Sequence, residues 1–131
     1  MAKLEDLLID ESAIDQEALA TALAGVVGIG VDGAPHPLAG WTDLTERGKV
    51  IATLLALRAA VLLKKREAAG VTPSQVVTMA GVAAGTAKRV LREVVDLRIA
   101  VQDPSGNYAV SNPALSSAIA QMKQGGARRG R

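Results

Sequence analysis

The chain has 131 residues, 49% hydrophobic but only 2% aromatic, with no Phe, one Trp and one Tyr. That fits one domain with extensions, its core built from Ala, Val, Leu and Ile. Zero Cys excludes disulfides and thiolate metal sites. The net charge of +2 divides unevenly: residues 1–43 carry one basic and eight acidic side chains, residues 44–131 fourteen basic and five acidic. Such asymmetry suggests a polyanion-binding face joined to an acidic extension kept away from it.

The start MAKLEDLLIDES is acidic, unlike a secretory leader. The most apolar run, Val50 to Leu63, is interrupted by Arg58 and is shorter than the roughly 20 residues a membrane span needs. The expectation is a soluble, intracellular protein without a membrane segment. Residues 4–9 and 13–27 read as helices. In the second, Ile14, Ala18, Ala22 and Val26 form a stripe widened by Leu19 and Leu23, with Asp15, Glu17 and Thr21 facing out.

Residues 28–43 hold four Gly and two Pro, which predicts a loop. The run Gly28-Ile29-Gly30-Val31-Asp32-Gly33 matches G-x-G-x-x-G, but a dinucleotide site needs a preceding strand and a helix opening through it. Here a helix precedes and Pro35 and Pro37 follow, so no nucleotide site is expected. His36 reads as an exposed loop residue, and Trp41 as an anchor pinning the loop to the helices.

Residues 44–69 predict the longest helix, capped by Thr42 or Asp43 and stopped by Gly70. Its apolar positions, Val50, Leu54, Leu57 and Val61 beside Ile51, Leu55 and Leu62, are broader than one core layer requires. Cover is expected from the N-terminal helix, a second subunit, or both. Val71 predicts a very short strand. Thr72-Pro73-Ser74-Gln75 is a capping box with Pro at the first helical position, opening a short helix over 73–80. Gly81 permits the left-handed turn into a helix over 84–97. There Ala87, Val90, Leu91, Val94 and Leu97 point inward, and Gly85, Lys88, Arg89, Arg92 and Asp96 outward. Ile99 to Gln102 and Asn107 to Val110 predict paired strands around the turn Asp103-Pro104-Ser105-Gly106, with Ile99 and Val101 on one face. Asn112-Pro113 opens a last helix with Leu115, Ala118, Ile119 and Met122 on one side. Residues 125–131 predict a disordered basic tail.

The order of a helix over 44–69, a strand near Val71, helices 73–80 and 84–97 about Gly81, and a hairpin over 98–111 resembles the winged helix-turn-helix family. Val76, Ala80, Val82, Ala87 and Val90 fill the apolar offsets around Gly81, while Val77 stands where the family usually has a small residue. The alanine- and valine-rich composition looks like the small regulators and chromatin-associated proteins of archaea. The resemblance implies a mainly α fold with a small β-hairpin: a winged helix-turn-helix over 44–111, an acidic helical N-terminal arm and Gly/Pro loop over 1–43, and a C-terminal helix over 112–124.

It further implies that helix 84–97 enters the major groove of duplex DNA while the hairpin meets the adjacent backbone or minor groove. Thr86, Lys88, Arg89 and Arg92 would then touch base edges or phosphate, since Arg pairs with guanine O6 and N7 and Lys holds phosphate. Ala83, Ala84 and Gly85 would let the helix start approach a phosphate. Arg98 at the base of the wing, Ser105 and Asn107 near its tip, and the tail residues Arg128, Arg129 and Arg131 complete the expected contacts. Competing with this, Lys88, Arg89 and Arg92 form a solvated face, the arginines paired locally with Glu93 and Asp96.

The leading expectation is a homodimeric DNA-binding regulator or chromatin-associated factor, cytoplasmic and nucleoid-associated. Its subunits would pair through the apolar face of helix 44–63, with helix 13–27 or helix 113–123, setting two recognition helices about 34 Å apart. The alternative is a winged-helix protein-interaction module of a larger nucleic-acid-processing complex, docked through its acidic arm. No cofactor, metal site or catalytic residue is expected.

Overall fold

A computed structural model describes residues 11–111 and 114–127; the predicted helix over 4–9, the Asn112-Pro113 helix start and Arg128, Arg129 and Arg131 lie outside the described residues. The chain is mainly helical, with two small antiparallel hairpins. In order it runs α1 (Glu11–Leu23), β1 (Val27–Ile29), β2 (Pro35–Pro37), a 3-10 turn (Ala39–Asp43) and α2 (Glu46–Leu62). Then follow α3 (Pro73–Val76), a π-helical turn (Val77–Gly81), α4 (Ala84–Asp96), β3 (Ala100–Gln102), β4 (Tyr108–Val110) and α5 (Leu115–Ala127). Among the described residues no helix is long and apolar enough to cross a membrane.

Helix α2 is the hub. Every residue from Val50 to Leu57, and Ala60, is buried, and α1, α4, α5, β1 and β4 all pack on it. The breadth of its apolar surface is thus met within one chain, by α1, the N-terminal helix among the covers expected, together with α4, α5 and both hairpins. With no Phe to fill space, close approach does the packing: a Cβ on Gly48 would lie 3.3 Å from the Met122 carbonyl of α5. Thr53, the buried polar residue of this core, donates its hydroxyl to the Lys49 carbonyl at 2.8 Å.

Several boundaries differ from the sequence reading. The N-cap of α2 is Thr45, whose side chain accepts from the Gly48 amide at 3.0 Å, rather than Thr42 or Asp43. The helix stops at Leu62, well before Gly70, because Lys64 takes a left-handed conformation (φ 63°). The Lys64 amide donates to the Val61 carbonyl at 3.0 Å and the Lys65 amide to the Ala60 carbonyl at 2.9 Å, a Schellman ending without glycine. Gly70 has another role: it lies against Asn107, 3.0 Å from that Cβ to where its own would stand.

Helix α1 ends at Leu23, not at 27, and buries Leu19, Ala22 and Leu23 while Ala18 is exposed. The larger side chains won the inward face. The predicted loop contains the β1–β2 hairpin, in register Val27 with Pro37, Gly28 with His36 and Ile29 with Pro35. The prolines suit a two-stranded ribbon, whose outer edge needs no amide donors. The G-x-G-x-x-G run is therefore strand and turn, His36 is exposed, and Trp41 is buried in the core shared with α1 and α2. Helix α5 buries Leu115, Ala118, Ile119 and Met122 as expected, but runs on to Ala127, into the stretch expected as tail.

Candidate nucleic-acid interface

The capping box predicted at Thr72 is present. Gln75's amide donates to Thr72 Oγ1 at 3.2 Å, and Thr72's amide to Gln75 Oε1 at 3.0 Å. Beyond Val76 the short helix widens into the π turn, beginning at Val77 where the family resemblance departs. Gly81 then reverses the chain at φ 73°; a Cβ there would meet no atom within 4 Å, so backbone conformation alone asks for glycine.

Helix α4 starts bare. Ala83 is its N-cap and offers no side-chain bond, Ala84 and Gly85 are exposed, and Gly85 has open space around it. The first amides of α4 thus lack a side-chain acceptor and lie among small residues. Ala87, Val90, Leu91 and Val94 are buried, Thr86 is partly buried, and Lys88, Arg89, Arg92 and Asp96 are exposed, the two faces that the periodicity predicts. Leu97 breaks it: expected inward, it is 50% exposed, as the C-cap of a helix that ends at Asp96.

The local pairing of Arg89 and Arg92 with Glu93 and Asp96 does not occur. Glu93 is engaged by Arg47 of α2, whose Nε donates to Glu93 Oε1 while its Nη2 donates to Gln121 Oε1 of α5 at 2.6 Å. One guanidinium ties three helices together. Among the described residues, Lys88, Arg89, Arg92 and Arg98 have no carboxylate within 4.0 Å. Neither Arg47 nor Glu93 was marked by sequence, since a partner 46 residues away leaves no local spacing signal.

Arg98 sits at the end of α4 in a left-handed conformation (φ 64°) and is exposed. Its amide donates to the Val95 carbonyl and that of Ile99 to the Val94 carbonyl, both at 2.9 Å, the same ending as α2. The chain then enters β3, in register Ala100 with Val110, Val101 with Ala109 and Gln102 with Tyr108. Ile99 and Ala100 are buried and Val101 is 55% exposed, so Ile99 and Val101 do not share a face. Val71 adds a bridge to Tyr108, its amide donating to the Tyr108 carbonyl at 2.9 Å with a return bond of 2.8 Å. Arg58 of α2 steadies the far end by donating from Nε to the Val110 carbonyl at 3.1 Å. Burial lowers the pKa of this guanidinium from its ordinary value.

The hairpin tip is closed on itself. Asp103 Oδ1 accepts from the amides of Ser105 at 2.9 Å and Asn107 at 3.0 Å. Asn107 is partly buried against Gly70, whereas Ser105 is exposed. The tip carries an acid and no cation, so positive charge on this side resides on α4 and Arg98. Among the described residues no three His, Asp or Glu gather where a metal ion could be held. Comparison with protein-family models, with characterised proteins and with solved structures returned no match.

Proposed function

We propose that the chain is a winged helix-turn-helix protein that binds double-stranded DNA, laying α4 in the major groove with the β3–β4 hairpin beside it, as a regulator or chromatin-associated factor of the nucleoid. The order α2, Val71 bridge, α3, α4, β3, β4 supports the fold assignment. One observation carries the DNA reading: the outward face of α4 holds Lys88, Arg89 and Arg92 without ion-pair partners among the described residues, while Glu93 is engaged by Arg47. Unpaired surface cations gain most from phosphate, whose condensed counterions they displace. Thr86 and the open helix start lie at the end of α4 that would meet base edges and backbone, and Arg98 supplies a phosphate contact at the wing's base.

Fluorescence anisotropy of a labelled duplex over a salt series tests this. Binding at low salt is expected to weaken steeply as salt rises. Reversing Arg89→Glu and Arg92→Glu together lowers affinity by about 100-fold or more, with helical content unchanged. Unaltered affinity in that variant would move recognition off α4.

A second reading, a winged helix that docks a protein within a nucleic-acid-processing assembly, draws on Leu97 and Val101, both at least half exposed beside a wing whose tip carries no cation. Absence of duplex binding at low salt favours it.

A further inference from the structure

An apolar groove of about 310 Å³ opens on the side formed by α1, the end of α2 and β1. Leu19, Leu23, Val27, Ile29, Leu62 and Leu63 are among its walls, and no described residue of α3, α4, β3 or β4 lines it. Leu63 stands at its lip, 59% exposed.

The charges at the rim differ in sign from wall to wall. On α1, exposed Glu17 shares the helical stripe of the lining residues Ala20 and Ala24. On the opposite wall, exposed Lys64 and Lys65 directly follow Leu63. None of the three has an ion-pair partner among the described residues. A foreign peptide of one charge would match one wall and oppose the other. A copy of the same surface turned about a two-fold axis matches both, and offers a leucine knob beside each hole.

We propose that this groove is the site on which a second copy of the chain docks, each Leu63 entering the other copy's groove and each Glu17 facing the other's Lys64 and Lys65. The pairing leaves α4 uncovered in both copies, and it stands independently of what α4 binds.

Light scattering or sedimentation of the full chain, from about 1 to about 100 µM, reads it directly. The expected mass rises to twice the 13.4 kDa of one chain. Leu63→Glu, at an exposed position that spares the core, raises the dimer dissociation constant at least about tenfold. Glu17→Lys, and separately Lys64→Glu with Lys65→Glu, each weaken the dimer several-fold, and all three together restore it, while circular dichroism stays unchanged. Restoration is the signature of facing charges, which general loss of stability would not produce. A single-chain mass throughout overturns the proposal, whether the groove is then found to hold residues 4–9 or another protein. So does a dimer indifferent to Leu63→Glu, or a triple variant as weak as those with one wall reversed. Duplex affinity is a separate measurement, so either reading can fail alone.

Discussion

The two hairpins are built on one turn and put to opposite uses. In the first, the Gly30 amide donates to the Ala34 carbonyl and the Gly33 amide to Gly30; in the second, Asp103 donates to Asn107 and Gly106 to Asp103, all at 2.9 Å. Each turn places a left-handed glycine at its fourth position, Gly33 at φ 81° and Gly106 at φ 90°. Each also closes an aspartate onto a nearby amide, Asp32 to Ala34 at 3.0 Å and Asp103 to Ser105 at 2.9 Å. Their surroundings separate them. Gly33 is buried against the Lys65 carbonyl, which a Cβ there would overlap, whereas a Cβ on Gly106 would meet only Gln102 Nε2 at 3.9 Å. The first tip is sealed onto the end of α2; the second stands free to touch something else. Turn chemistry is local, but what a turn is for depends on what lies over it.

Substitutions at matched positions test that contrast, and the largest effect is expected at the sealed tip. Gly33→Ala combines an unfavourable left-handed conformation with displacement of a backbone carbonyl, and urea denaturation should show a loss of about 3 kcal/mol or more. Arg58→Met removes a charge-assisted bond that holds β4 to α2, for about 2 kcal/mol. Gly106→Ala meets conformation alone, and should cost about 1 kcal/mol. Equal losses at the two glycines would mean that Gly33 does not bear on α2. On the binding side, Ser105→Lys places a cation on the free tip and should tighten duplex binding about threefold to tenfold at moderate salt, while Val31→Lys on the sealed hairpin leaves affinity unchanged. A gain at Val31 would show that the wrong side has been assigned to DNA.

What was readable in the sequence follows the range over which each signal acts. The capping box at Thr72, the turn at Gly81 and the two faces of α4 depend on residues within a turn or two of one another, and all appear in the structure as expected. The unpaired cations of α4 were legible only as charges; that Glu93 is engaged by Arg47 of α2 rather than by a neighbour on its own helix is a contact across 46 residues, with no local spacing to announce it. The end of α2 was misplaced because a left-handed turn normally announces itself by glycine, and Lys64 fills it here. The β1–β2 hairpin was hidden by its prolines, which argue against a central strand but not against a two-stranded ribbon. For α1, the expected stripe was centred on Ala18 and Ala22 and widened by Leu19 and Leu23; packing against α2 and α5 centres it on Leu19, Ala22 and Leu23 and leaves Ala18 exposed.

Arg98 occupies a position that folding alone would assign to glycine. Arg98→Gly should therefore raise stability by about 1 kcal/mol, while removing a cation from the base of the β3–β4 hairpin. A search for sturdier variants, blind to binding, would discard this arginine early. Opposite signs for stability and duplex affinity in that one variant would identify Arg98 as a residue kept for what it touches rather than for the fold it serves.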